Sequence, residues 1–479
     1  MNYAMIAYIT GWVLNIEAAF LVLPCIVALI YGEKAIWAFL FTFAICAGIG
    51  IGLVSRKPKK TIFYIKEGYV TVAFCWIVMS IIGALPFLFS QTITNPVDAL
   101  FETVSGFTTT GASILKEVEA LPKSVLFWRS FTHWIGGMGV LVFLLTVLPM
   151  VGGSHMNLMK AESPGPSVSR LVPKVKSTAK ILYGIYIFMT VVQIIFLLAG
   201  HMPLFDAVTT TFGTAGTGGF GIKNDSIGSY STYIQVVVTV FMILFGINFN
   251  IYFLILAKKF AQAWKNEEVW GYLGIIAASI VVITLDIRGI YGNIPEAVQQ
   301  AAFQVGSIIT TTGFATTDFN LWPQASRTIL VLLMFVGACA GSTGGGIKVS
   351  RFIILLKTVK RELYQFIHPK GVRKIKMDGK SIEDEVIRTT NVYMIAYLMI
   401  FSFSVLFLAM DEQDLITNFT AVAATFNNIG PGLELVGPTS NFSMFSNPAK
   451  LVLIFDMLAG RLEIFPMLIL FVRDTWKKF

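Results

Sequence analysis

Two short runs of threonine and glycine, TTTG at Thr108–Gly111 and at Thr310–Gly313, are the residues of this chain most suited to doing chemistry. Two related stretches, Phe212-Gly-Thr-Ala-Gly216 and Phe426-Asn-Asn-Ile-Gly430, align with them on the last apolar residue before each loop. Counted from Phe107, Phe212, Ile309 and Phe426, a glycine follows four positions later each time: Gly111, Gly216, Gly313 and Gly430. Glycine reaches left-handed backbone angles without a Cβ clash, so such a loop can turn its carbonyl oxygens to one side. Four loops around one axis would form a ring of oxygens that replaces the hydration shell of a monovalent cation. One TTTG alone reads as a tight turn. Four stretches in one register between apolar segments favour a shared role, with glycine as the common element and the threonines secondary.

The elements that must position these loops are short. Phe101, Phe205, Phe303 and Phe419 lie ten or eleven residues before the four glycines, which fits a helix of about ten residues, roughly 15 Å long and half a bilayer deep. A helix of that length dips into a membrane and returns. Non-helical backbone at such depth must be buried in protein or line water, so the four loops are expected to converge on a pore. Helix C-termini carry partial negative charge and would point at the membrane centre, favouring a cation. Asp98, Glu102, Asp206, Glu296 and Asp414 stand near the helix starts, where they would suit the positive helix ends and draw cations to the mouth.

Composition agrees with a membrane setting. Of 479 residues, 55% are hydrophobic and 13% charged, and the mean hydropathy is +0.73, which excludes an ordinary soluble domain. Ten apolar runs are long enough to span: 4–30, 36–54, 68–90, 126–151, 181–200, 231–257, 269–286, 327–356, 390–410 and 449–472. The first run is long and has no small-residue cleavage site, so no cleaved signal peptide is expected. The net charge of +9 is topological: 27 of the 36 Lys and Arg fall in one set of loops and the tail. This bias places both termini in the cytoplasm and argues against nucleic-acid binding. Cys25, Cys46, Cys75 and Cys339 are scattered through apolar runs with neither zinc nor disulfide spacing. No zinc signature, nucleophile elbow or carboxylate pair lies in the spans, so the chain is not expected to be an enzyme.

The unit of apolar helix, short helix, Gly-rich loop and apolar helix occurs four times after two leading helices. The expected divisions are 1–60 for the leading helices, then 61–152, 178–262, 268–365 and 385–475. This pattern and its four glycines resemble the Trk/Ktr/HKT superfamily of potassium transporters, in particular the bacterial Trk-type membrane subunit, over essentially the whole chain. The resemblance implies an all-α membrane protein with pseudo-fourfold repeats around one pore. It also implies a homodimer in the bacterial inner membrane, seated on a cytosolic ring of nucleotide-binding regulatory subunits. Potassium would be the transported ion, with no organic cofactor on this chain. The filter would comprise Thr109, Thr110, Gly111, Thr214, Ala215, Gly216, Thr311, Thr312, Gly313, Asn428, Ile429 and Gly430. Potassium would be held by the carbonyls of Thr110, Gly111, Thr214, Ala215, Thr311, Thr312, Asn428 and Ile429. Sodium-preferring plant relatives carry serine at the first filter glycine, so Gly111 implies potassium.

Below the loops, GACAGSTGGGIK at Gly337–Lys348 puts five glycines into an apolar span. It is not a phosphate-binding loop, since Ile347 stands where lysine is required. A close-packed crossing of small residues is one reading. The preferred one, which the resemblance also implies, is an intramembrane loop that gates the path, built from Gly341, Ser342, Thr343, Gly344, Gly345 and Gly346 with Lys348 at its cytoplasmic end. Arg461 lies within a span and is a functional candidate by default. A salt bridge to another helix is its plainer reading, and the family's matching arginine projects into the conduction path. Glu17 and Asp286 read as structural, and Asn250, with Asn248, fits either packing or a pore-lining position. Residues 357–388 are basic enough to meet anionic lipid, and contact with the regulatory ring rests on the resemblance alone. A cation symporter is the main alternative, because broken helices at mid-membrane are also a transporter trait.

Overall fold

The computed structural model describes residues 1–58, 64–137, 139, 175–371 and 373–477. The chain is helical, with α1 (Tyr3–Tyr31), α2 (Ile36–Ser55), α3 (Ile65–Phe89), α4 (Pro96–Phe107) and α5 (Lys123–Gly137) before the first gap. There follow α6 (Val175–Ala199), α7 (Leu204–Ala215), α8 (Thr232–Phe245), α9 (Phe249–Leu256), α10 (Glu267–Ile287), α11 (Ile294–Ile309) and α12 (Gln324–Val336). The last are α13 (Val349–Ile367), α14 (Asp384–Leu408), α15 (Leu415–Phe426), α16 (Asn447–Arg461) and α17 (Phe465–Leu468). A two-stranded hairpin, β1 (Lys376–Met377) and β2 (Lys380–Ser381), stands between α13 and α14.

Among the described residues, six helices are long and apolar enough to cross a membrane: α1, α2, α3, α10, α14 and the part of α6 from Lys180. These match six of the ten expected runs, and the other four do not form single described helices. Run 231–257 bends by 87° between α8 and α9. Run 327–356 leaves helix between Val336 and Val349, as its glycines suggested. Run 449–472 stops at Arg461 and resumes at Phe465 after Glu463 and Ile464 adopt φ of 60° and 68°. Run 126–151 is helical to Gly137, and its remainder, apart from Gly139, lies outside the described residues, as do Lys59, Lys60, Lys160, Arg170, Lys174 and Lys478. Apolar run length alone does not reveal these breaks, because the residues on either side remain hydrophobic.

The short helices start on strong local signals. Asn95 caps α4, its side chain accepting from Val97 N–H, with Pro96 next; Asn293 caps α11 and Asp414 caps α15. Each side-chain oxygen satisfies an N–H that the first helical turn leaves orphaned. α4, α7 and α15 have 12 residues and α11 has 16, about 18 to 24 Å at the helical rise, too short for a hydrocarbon core of about 30 Å. Their inner ends are buried in protein: Phe107, Ala215, Ile309 and Phe426 are at most 1% exposed. Cys25, Cys46, Cys75 and Cys339 are buried free thiols, as their spacing suggested.

Candidate functional site

All four short helices give way to one backbone path. The N–H groups of Thr110, Gly218, Thr312 and Ile429 donate to the carbonyls of Ser105, Gly213, Ser307 and Ala424, each at 2.8 Å. The residue before is left-handed every time: Thr109, Thr217, Thr311 and Asn428 have φ of 53–59°. The residue after is a glycine of positive φ: Gly111 at 79°, Gly219 at 77°, Gly313 at 80° and Gly430 at 102°. L side chains strain in that region.

The register of the second unit therefore sits three residues beyond the sequence alignment. Thr214 and Ala215 occupy the last turn of α7, and Gly216 caps it with right-handed angles. The Thr214 carbonyl accepts the Thr217 N–H at 3.0 Å. The place equivalent to Gly111 is taken by Gly219. A signal was available: α7 has the 12 residues of α4, and Thr217-Gly-Gly219 repeats the Thr-x-Gly of Thr109–Gly111 and Thr311–Gly313.

The loops close on one another. A Cβ on Gly111 would collide with the Gly218 carbonyl oxygen, one on Gly219 with that of Thr312, and one on Gly313 with that of Ile429. A Cβ on Gly430 would lie 2.8 Å from the Thr110 carbonyl oxygen. The contacts run from first loop to second, third, fourth and back to the first. The structure thus brings together Thr109, Thr110, Gly111, Thr311, Thr312, Gly313, Asn428, Ile429 and Gly430, joined by Thr217, Gly218 and Gly219.

The four loops are tied down in three ways. Thr108 Oγ1 donates to the Val104 carbonyl at 2.6 Å and lies 2.8 Å from Thr110 Oγ1. Thr310 repeats this with Gly306 and Thr312, both at 2.7 Å. The second loop has no such hydroxyls. Instead the buried His133 ring, from α5, stands where a Gly218 side chain would be, stacks on Phe220 at 4.2 Å and accepts the Phe220 N–H at 3.5 Å through Nδ1. In the fourth loop Asn428 Nδ2 donates to Thr110 Oγ1 and to the Met457 carbonyl, both at 2.9 Å. His133 escaped the sequence reading because nothing in its neighbours ties it to a loop 80-odd residues later.

The glycine-rich segment between α12 and α13 lies directly against the helix-terminal side of the ring. Gly345 N–H donates to Thr311 Oγ1 at 2.6 Å, and a Gly344 Cβ would stand 2.9 Å from the Thr310 carbonyl oxygen. Gly341, at φ 72°, faces the Asn248 side chain, and its carbonyl accepts the Phe249 N–H. Ser342 Oγ donates to Cys339 O and Thr343 Oγ1 to Phe245 O. Gly346 packs on Gly337. Lys348, expected at the cytoplasmic end of the segment, is buried, and its ammonium folds back to the Gly344 carbonyl.

Arg461 spans two units. Its Nη1 donates to Thr343 O at 2.9 Å, and Nη2 donates to Gly136 O at 2.5 Å and Gly137 O at 3.1 Å. The nearby acid Glu463 pairs with Arg351, and the buried Asp456 accepts from Ser404 at 2.8 Å. Glu17 is buried near the Cys46 thiol, Asp286 accepts the N–H and hydroxyl of Ser326, and the Asn250 N–H donates to Asn248.

The expected ring of acids at the mouth is only partly present. Glu102 is buried against Arg129 at 2.5 Å, Asp98 pairs with Lys450 at 2.6 Å, and Asp206 accepts the Tyr230 hydroxyl at 2.8 Å. Glu296 and Asp414 remain exposed. Salt bridges answer two of these five charges, those of Glu102 and Asp98.

Comparison with known proteins follows the same lines. The sequence profile of the TrkH cation transport proteins matches residues 35–291 and 272–478. The Trk system potassium uptake protein TrkH of Salmonella typhimurium is 36% identical over the full length of both chains. The Trk system potassium uptake protein TrkG of Escherichia coli is 32% identical over 99% of this chain and 98% of its own. The crystal structure of the potassium transporter TrkH from Vibrio parahaemolyticus superposes over all of both chains with a TM-score of 0.89 at 33% identity. These relatives are transporters by name, and the helical architecture is shared throughout. With matches that cover the whole chain, this protein belongs to the TrkH family of cation transport proteins.

Proposed function

We propose that the chain carries potassium ions across the bacterial inner membrane through the ring of four loops. The observation that supports this most directly is the cyclic packing in which each positive-φ glycine abuts a carbonyl of the next loop. Backbone oxygens so arranged stand in for water around a dehydrating cation. The inner ends of α4, α7, α11 and α15 add partial negative charge toward the same place. The filter residues are Thr109–Gly111, Thr217–Gly219, Thr311–Gly313 and Asn428–Gly430.

The segment Gly337–Lys348 closes this path in the present conformation, and Arg461 sets a positive charge beside it. Positive charge there repels a cation and shortens its stay. Both termini and the basic loops face the cytoplasm, following the charge bias. The chain works with other components of a Trk system, as its relatives' names suggest, and in this reading those components are a second copy and a nucleotide-binding ring on that face. The test is the reversal potential of purified protein in planar bilayers under potassium and sodium gradients. A potential that follows potassium supports the reading, and one that follows neither ion overturns it.

A further inference from the structure

We propose that Glu268 is a positioning residue of the gate: it holds the Gly337–Lys348 segment beneath the ring by gripping both of its ends. The inference rests on the gating role proposed above for that segment. Glu268 lies in the first turn of α10, is 3% exposed, and contributes nothing to the four loops. One of its oxygens, Oε1, accepts the Ala340 N–H at 2.6 Å and the Ser350 N–H at 3.1 Å. Ala340 stands on the strand of chain entering the glycine-rich turn, and Ser350 stands on the first turn of α13 leaving it.

The consequence follows from satisfaction of buried donors. Ala340 and Ser350 are both buried, and a buried N–H without a partner is costly to leave unmade. While Glu268 is in place, withdrawing the segment exposes two such donors at once. The intervening glycines supply the freedom to move: Gly341 and Gly346 are held at φ of 72° and 76°. The grip is itself anchored. Asp378, at the hairpin turn, accepts the Glu267 N–H at 2.8 Å and Asn266 Nδ2 at 3.1 Å. Glu267 in return accepts the Asp378 N–H at 3.1 Å and pairs with Lys357 of α13. The start of α10 is thereby fixed to the hairpin and to α13, so Glu268 acts from a fixed point.

The experiment compares rubidium tracer uptake into proteoliposomes for the unaltered chain and for Glu268→Ala, Glu268→Asp and Glu268→Gln, without any partner protein. Each carries Ser342→Cys in parallel preparations for labelling by a membrane-impermeant thiol reagent, the native cysteines being buried. Glu268→Ala is expected to raise basal uptake about tenfold and to speed labelling at position 342. Glu268→Asp, too short to reach both N–H groups, should do the same and serves where the alanine variant fails to fold. Glu268→Gln keeps an acceptor oxygen and should match the unaltered protein. Uptake and labelling unchanged in both the Ala and Asp variants overturn the proposal, as does a Gln variant that leaks as much as Ala. An unaltered chain that passes no ion, even with the segment deleted, instead overturns the gating and conduction reading on which the proposal stands.

Discussion

A side chain on Gly219 has nowhere to go, because the Thr312 carbonyl oxygen fills the place of its Cβ and its φ of 77° is left-handed. Gly219→Ser is therefore expected to distort the second loop by about 1 to 2 kcal/mol and to lower the potassium-to-sodium permeability ratio about tenfold, as are Gly111→Ser and Gly313→Ser. Gly216→Ser meets the His133 backbone oxygen instead and should lower folded yield while the surviving protein keeps its selectivity. Bi-ionic reversal potentials read both outcomes, and the opposite pattern would restore Gly216 to the ring. The threonines are open to a separate test. Thr108→Val or Thr310→Val removes a hydroxyl that bridges a helix carbonyl and a loop threonine, at about 1 kcal/mol per lost bond. The melting temperature in detergent should fall by a few degrees, and Thr108→Ser should restore it. Three of the four glycines were readable in sequence because each stands alone after its helix. In the second unit Gly213, Gly216, Gly218 and Gly219 compete, and the decision lies with His133, a partner on another helix.

Helix α16 ends just where α8 and α12 do, beside the ring, and the three breaks have different makers. The third was legible, since five glycines interrupt one span. The second and fourth were not: Gly246 is pressed against Tyr272 and Gly460 against the Phe426 carbonyl, contacts between distant segments that a local apolar pattern conceals. Arg461 links the end of α16 to the glycine-rich segment through the Thr343 carbonyl and to the end of α5 through those of Gly136 and Gly137. Arg461→Ala should leave the protein folded but change single-channel conductance, and unchanged conductance would assign the arginine to packing alone. Deleting Gly344–Gly346 takes away the Gly345 contact to Thr311 and should give steady partner-independent leak in the same bilayers.

At the level of the molecule, α4 is locked by charge: Asp98 pairs with Lys450 and Glu102 with Arg129. Arg129 pairs with Glu102, donates to the Gly221 carbonyl at 2.7 Å and lies 3.7 Å over the Phe220 ring, while Glu102 also accepts from Ser113 and Ile114. One buried pair so joins the exits of the first and second loops. Glu102→Ala strands the guanidinium and is expected to destabilise by roughly 3 to 5 kcal/mol, seen as lost monodisperse protein on gel filtration. Replacing both partners with apolar residues should recover most of it. Sequence spacing placed Glu102 on a short helix, as α4 is, but gave no hint that its charge was already answered. Because each of the four loops is encoded separately, a single codon alters one quadrant only. An assembly of four identical chains multiplies every change by four, whereas in the proposed pore the passage could be retuned by quarters, and its preference among ions could drift in small increments without the whole collar failing at once.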